Sequence, residues 1–350
     1  MSSTSNFGGE QGATSPAGGG GAAPRPAASP LARALRTIFP WLLTVLIAVF
    51  LARRWDLHRV AEALAGARWG LFLLLMLPYS IAYLCLDTAA VTEAVRRFHA
   101  PVAWREVLPA RAATYVLSLV NTNVAQGGLA LWLAGRTGAP VLALAGTFLF
   151  LAFVEISQLV LYSSIGVALT GTRVPGLGRF YLGAYAVLAA WLAWASRPTR
   201  DVSTARSGLF STFARARIPD YLIILGIKSV SLGLAILTHW TALRLFGIEI
   251  PLLALLANLP LIFLASAVPL SAGKLHASVA WAWLLGGYAP EEKLGAYSLA
   301  AHLTFLLMNA LLGLVFLPRV GREIWDLAER AARGGDVRRP PGGDPADPGA

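Results

Sequence analysis

The sequence predicts an all-α, polytopic integral membrane protein with about six spanning helices and two re-entrant hairpins. Three observations predict it. Of 350 residues, 56% are apolar and 13% are charged, against roughly 25% charged in a soluble domain. Several uncharged runs approach or exceed the ~20 residues that cross a bilayer. Two long apolar stretches are interrupted by small and polar residues, and their orientations oppose each other as in an inverted repeat.

The formal charge of +11 does not point to nucleic acid. The arginines lie in short loops and tails between apolar runs, as positive-inside sorting and anionic headgroups produce. Cys85 is the single cysteine, which excludes an intramolecular disulfide and a Cys-rich metal site. No signal peptide is visible, and residues 1–32 are mostly Gly, Ala, Ser and Pro, too poor in large apolar side chains to bury a core. They form the first of three regions. Residues 33–320 form the transmembrane domain, and 321–350 form a cytoplasmic tail that is mostly disordered.

Ile38 to Ala52 is a short first span between Arg36 and Arg53, with Trp41 and Trp55 suited to the two interfaces. Leu57, Val60, Ala61, Leu64 and Ala65 then recur at helical spacing among polar residues, which fits an amphipathic helix on the membrane surface. Trp69 to Val91 is the second span, with Pro78 as a kink. Asp87 and Glu93 near its far end read as interfacial carboxylates facing Arg96 or Arg97. Trp104 to Arg136 is the first interrupted stretch. Its apolar arm leads into Asn121-Thr-Asn-Val-Ala-Gln-Gly-Gly128, a poor helix interior, so it reads as a hairpin broken at Ala125–Gly128.

Val141 to Leu169 is a long span holding Glu155, Ser157 and Gln158, and Phe180 to Ser196 is a span without charge. Arg197 to Arg217 is the longest polar loop, with five arginines. Tyr221 to Leu245 is a span containing Lys228 and His239. Pro251 to Tyr288 is the second interrupted stretch, broken at Ser266-Ala-Val-Pro-Leu-Ser-Ala-Gly-Lys-Leu-His276. A spanning helix would break at Pro269 and carry Lys274 near mid-depth, which is tolerated where protein or a wet cavity surrounds it. A short extramembrane turn with Lys274 in water is the other reading. Leu294 to Leu317 is the last span.

Cation placement orients the chain. With both termini and the loops at 96–111 and 197–217 cytoplasmic, eight Lys and Arg fall outside. Lys228 and Lys274 lie within the membrane, and the remaining 19 of the 29 are cytoplasmic. The chain is therefore expected in the inner membrane, with N- and C-termini on the cytoplasmic side.

Soluble-enzyme motifs are missing. There is no Walker loop, dinucleotide fingerprint, His-Glu-x-x-His or nucleophile elbow, so no enzyme and no cofactor is expected. A lone Asn or Gln in a span is most often interhelical glue, the reading applied to Gln158 and Asn309. Ionised groups at mid-depth must be paired, neutralised or wet. Glu155 pairing with a lysine is one outcome. The sharper one is a polar cavity for a lipid headgroup, lined by Lys274, His276, Glu155, Lys228, Asn121 and Gln126. Lysine donors and half-helix N-termini there would suit an anionic phosphate.

Two of these stretches resemble the transmembrane, flippase-like domain of the lysylphosphatidylglycerol synthase family. The resemblance covers most of residues 35–320. It rests on Tyr115-Val-Leu-Ser-Leu-Val-Asn121 followed by Leu133-Ala-Gly-Arg-Thr-Gly138, and on Val268-Pro-Leu-Ser-Ala-Gly273 before a short helix and the last span. The family usually has Pro and then Gly-Glu after the asparagine, where this chain has Ala125-Gln-Gly-Gly128. After the second Pro-x-Ser it usually has Gly-Gly-x-Gly and a Glu, where this chain has Lys274, His276 and Val279. The family's soluble synthase domain is not expected in the residues after the last span. The resemblance implies movement of phospholipid between leaflets. The alternative is a non-transporting membrane partner of a lipid-modifying or glycosyl-transferring enzyme. Partners are then membrane lipids, a homo-oligomer or a membrane enzyme, and no nucleic acid.

Overall fold

The structure is a computed structural model that describes residues 55–120, 122–171, 177–195, 208–267 and 276–332, with 45, 46, 49 and 53. The expected first span, the loop 197–207, Asn121, Lys274 and the 268–275 break lie outside these or are only touched by them. The described helices belong to the unit Pro40–Ala350.

Helix α1, Leu57–Ala65, starts where the Asp56 carboxylate accepts from the backbone N–H of His58 at 2.9 Å. Only Ala63 of α1 is buried. Helix α2, Trp69–Phe98, continues through Pro78. Helices α3, Trp104–Val120, and α4, Thr122–Thr137, follow. Gly138 ends α4 in the left-handed region at φ 67°, a conformation that costs glycine nothing. Pro140 then opens α5, Val141–Thr170. Helix α6 is Leu177–Ala195, and α7 is the single turn Ser211–Arg215. Helix α8, Ile218–Leu245, is followed by α9, Leu252–Ala267, and α10, His276–Leu285. Helix α11 runs from Glu291 to Ala332.

Four of these helices are long and apolar enough to cross a membrane: α2, α5, α8 and the Glu291–Pro318 part of α11. Thirty residues make ~45 Å of helix, against a hydrocarbon core of ~30 Å. The helices α3, α4 and α9 have 17, 16 and 16 residues, or about 25 Å each, and α10 is shorter still.

One expectation is corrected. The first interrupted stretch does not break at Ala125–Gly128, because α4 runs through all four residues. Ala125, Leu129, Leu133 and Ala134 are buried on one face of it, and that packing outweighs the weak helix propensity of two glycines. The last helix runs on beyond Leu317, the end of the last expected span. It continues to Ala332, and Glu323 on it accepts from Arg136 and from the Trp132 indole, both at 3.1 Å.

The helices form two sets built alike. Helices α2 to α5 run long, short, short, long, and so do α8 to α11. The two leading helices, α2 and α8, pack on each other. The first short helix of each set packs on the last helix of the other: α3 on α11, and α9 on α5. Within each set the two short helices, α3 with α4 and α9 with α10, pack together. The apolar core divides accordingly. One cluster gathers Phe98, Val107, Leu129, Leu133, Phe150 and Phe213 around the C-terminal end of α2. The other gathers Phe72, Met76, Leu243, Leu255, Leu285 and Tyr297 around its N-terminal end.

The α5–α9 crossing depends on a small residue. A Cβ on Gly166 would collide with the backbone of Leu256 and Ala257 on α9. Close approach also lets Ser163 donate to the Ala257 carbonyl at 2.5 Å and share a hydrogen bond with the Tyr181 hydroxyl at 2.6 Å. Small residues of this kind let backbones approach in membranes, where water supplies no drive between helices.

Gly166→Ala should therefore lower stability by ~1–3 kcal/mol, the usual range for overpacking. Gly226→Ala on α8, where a Cβ meets nothing within 4 Å, should be neutral or slightly stabilising. Thermal unfolding of the detergent-solubilised variants compares the two; equal melting points would refute the packing argument.

A pH effect follows at the end of α2. The His99 ring shares a hydrogen bond with Thr147 at 2.6 Å. Burial, and then the charge of Arg215, push its pKa from 6.5 down to about 4. The unfolded chain takes up this proton first as pH falls. The neutral ring's stabilisation is therefore full above pH 6.5 and lost progressively down to about 4. Melting points should drop across that window, and His99→Gln should flatten the drop.

Candidate functional site

A cavity of about 310 Å³ lies midway along α2, between the two apolar clusters. That volume suits a small ligand or one end of a larger one. Its walls come from α2, α5, α8, α9, α10 and α11, so both four-helix sets build it.

Helical spacing aims each wall inward. On α8, Lys228, Leu232, Ala235 and His239 line it, a stripe at the three- and four-residue steps of one face. Lys228 and His239 are eleven residues apart, or ~16 Å along that stripe. On α2 the stripe is Met76, Tyr79, Tyr83, Asp87 and Ala90. On α5, Glu155 and Gln158 are one turn apart.

The charged end of the cavity is compensated pair by pair. Lys228 Nζ donates to Glu155 Oε2 at 2.7 Å. The Lys228 side chain is 13% exposed and the Glu155 side chain 51% exposed, so the carboxylate is the more accessible member of the pair. Asp87 also lines it, and its Oδ2 accepts from Arg111 Nε at 2.5 Å and from the Tyr115 hydroxyl at 3.0 Å. Arg111 and Tyr115 stand one turn apart on α3. Both ionic partners here are 12% exposed. Two acids and two bases meet within the bundle with no net charge.

The other end is polar without formal charge. His239 and the Tyr297 hydroxyl share a hydrogen bond at 2.6 Å. Ser298 donates to Ser278 at 2.6 Å. Between the ends, Phe305 packs on Tyr79 and Tyr83 with ring centroids 5.5 and 5.1 Å apart. Leu159, Leu232, Ile262 and Phe263 complete apolar walls. Among the described residues no cluster of His, Cys, Asp or Glu is arranged to hold a metal ion.

The structure brings together two of the six residues expected at the site, Glu155 and Lys228. His276, at the start of α10, bonds through Nε2 to the Ala265 carbonyl at 3.0 Å, and the cavity is lined by its neighbours Ala277 and Ser278 instead. Gln126 lies on α4 away from the cavity lining, with a buried Oε1 that has no hydrogen-bond partner. Lys274 and Asn121 lie outside the described residues.

Four further expectations change. Glu93 does face Arg97, at 2.6 Å, but Asp87 does not; it turns into the bundle toward Arg111. Arg111 is therefore a part-buried helix residue and not a loop cation. The signal for it was available, since an arginine one turn before a tyrosine inside a largely apolar helix calls for a buried acid. Asn309 and Gln158 do not glue helices together. The Asn309 amide donates to Phe305 of its own helix at 2.8 Å. Gln158 lines the cavity, 2% exposed, and its Nε2 has no hydrogen-bond partner.

No family model, curated protein or solved structure matches this chain.

Removing one member of the α2–α3 pair leaves a charge buried alone. Arg111→Met should cost ~3–5 kcal/mol. Asp87→Asn combined with Arg111→Met should recover most of it, because no uncompensated charge remains. A double-mutant cycle on thermal or denaturant unfolding in detergent gives the coupling; additive losses would show that the two residues do not act as a pair.

Proposed function

We propose that this protein moves phospholipid, or a related lipid, between the leaflets of the inner membrane without an ATP site of its own. The single observation that carries this reading is the central cavity. It joins apolar walls, which accept acyl chain, to an ion pair and an amide, which accept a polar head. Built as it is from both four-helix sets, it would lie between the leaflets.

The helix order supports the reading as well. Two short helices that pack together, too short to cross with margin, follow a long helix twice in the chain. Read as re-entrant hairpins dipping from opposite leaflets, they make an inverted repeat whose halves exchange contacts. Transporters of that design hold substrate near the midplane, where the repeats meet. On this reading about six helices span, counting residues 38–52 and α6, and both termini are cytoplasmic. Its partners are membrane lipids, and its site is carried by Glu155 and Lys228. The likeness to the flippase-like domain of the lysylphosphatidylglycerol synthase family points the same way.

The test is a leaflet-accessibility assay. Purified full-length chain is placed in unilamellar vesicles with a trace of head-labelled lipid, and a membrane-impermeant reductant is added. Labelled lipid should bleach beyond the outer-leaflet fraction. Ser231→Phe, which fills the cavity from α8, should slow bleaching to the protein-free rate while leaving the melting point near that of the parent. If no labelled lipid of any class moves faster than in empty vesicles, the transport reading fails.

A further inference from the structure

The headgroup class follows from the charge already inside the cavity, given the transport reading on which this step rests. A net anionic head suits a cavity with a free lysine. Lys228 is not free, because Glu155 engages it at 2.7 Å. An anionic phosphate that took Lys228 would leave the Glu155 carboxylate charged and alone at mid-helix. Glu155 is the fifteenth of the thirty residues of α5, and an uncompensated charge at that depth is strongly disfavoured. A cationic head on Glu155 would strand Lys228 in the same way.

The neighbouring charges do not relieve either case. Asp87 and Tyr83 face this end from α2, and Asp87 is already neutralised by Arg111 and hydrogen-bonded by Tyr115 from α3. His239 on α8 is engaged by Tyr297, and His302 lines the cavity from α11. Helices α9 and α10 contribute serines and apolar residues to the wall but no charged group.

We propose that the cavity takes a zwitterionic headgroup, a phosphate joined to an ammonium, by exchanging the Lys228–Glu155 pair for two ligand pairs. The phosphate accepts from Lys228 Nζ and from Gln158 Nε2, the buried amide without a partner. The ammonium donates to the Glu155 carboxylate, the more exposed member of the pair. Every charge that enters meets one released by the opening of the internal pair, so the bundle stays neutral throughout. The same chemistry exists in a soluble zwitterion. The apolar walls around Leu232, Phe263 and Phe305 favour the lipid, whose glycerol and first methylenes they would cover.

The test is binding by the full-length chain in detergent, measured calorimetrically with three probes. They are dihexanoyl phosphatidylethanolamine and dihexanoyl phosphatidylglycerol, both below their micelle concentrations, and soluble glycerophosphoethanolamine. The ethanolamine lipid should bind at least about tenfold tighter than the glycerol lipid, a gap of one decade in Kd. Glu155→Gln should reverse the preference by freeing Lys228 for an anion. Lys228→Gln should weaken both lipids. The exchanged pair Glu155→Lys with Lys228→Glu preserves the charges and should keep the ethanolamine preference, which separates charge logic from misfolding. Equal binding of the two lipids by the parent chain overturns the proposal, as does a Glu155→Gln variant that weakens both alike. Soluble probe binding as tightly as the lipid overturns the lipid as ligand. Ethanolamine preference without leaflet exchange in vesicles sinks the transport reading and keeps this one. Equal exchange of both lipids does the opposite.

Discussion

Charge neutrality inside the bundle is the constraint on which the rest depends. A lone charge at mid-depth is expensive enough to reorganise a helix around it. Among the described helices four charges are placed as two pairs, Asp87 with Arg111 and Glu155 with Lys228, and each pair joins different helices. The first ties the short helix α3 to α2 deep within the bundle. The second ties α5 to α8 across the cavity. Interaction in a low-dielectric interior offsets desolvation only when both partners are present, so these contacts specify which helices lie side by side.

Packing completes what the pairs specify. Between apolar helices in lipid there is little hydrophobic drive, and close backbone approach takes its place. Gly166 against α9 and Gly313 against the Ala112 carbonyl of α3 mark where the two sets exchange their short helices. These are the α5–α9 and α3–α11 crossings, the reciprocal contacts of the fold. The aromatic groups around Phe150 and Phe213 at one end, and Phe72, Phe246 and Tyr297 at the other, seal the bundle above and below. Between them Tyr83, Asp87, Glu155 and Lys228 line the cavity.

A cavity with satisfied charges behaves differently from one with bare cations. Bare lysines recruit anions and hold them. A closed ion pair admits a ligand only if the ligand replaces both contacts, which makes head chemistry selective. Gln158, buried with an idle amide, is a group there that a ligand would satisfy rather than displace.

The sequence by itself pointed to the class: the long apolar runs at 69–91, 141–169, 221–245 and 294–317 carry almost no charge and suit membrane helices, because the hydrogen bonds of their backbones close within each segment. It also exposed Glu155 and Lys228 as groups in need of company. It misplaced the break near Gly128, since propensity is local and α4 is held by what it packs on. It assigned Asp87 to the nearest arginines in the chain, when the true partner, Arg111, is 24 residues away. Only the tertiary structure decided that Glu155 meets Lys228 across 73 residues, and that Gln158 shares their cavity. Pairing between helices is set by which faces pack together, and the period of one helix says which side is polar but not which neighbour it will meet.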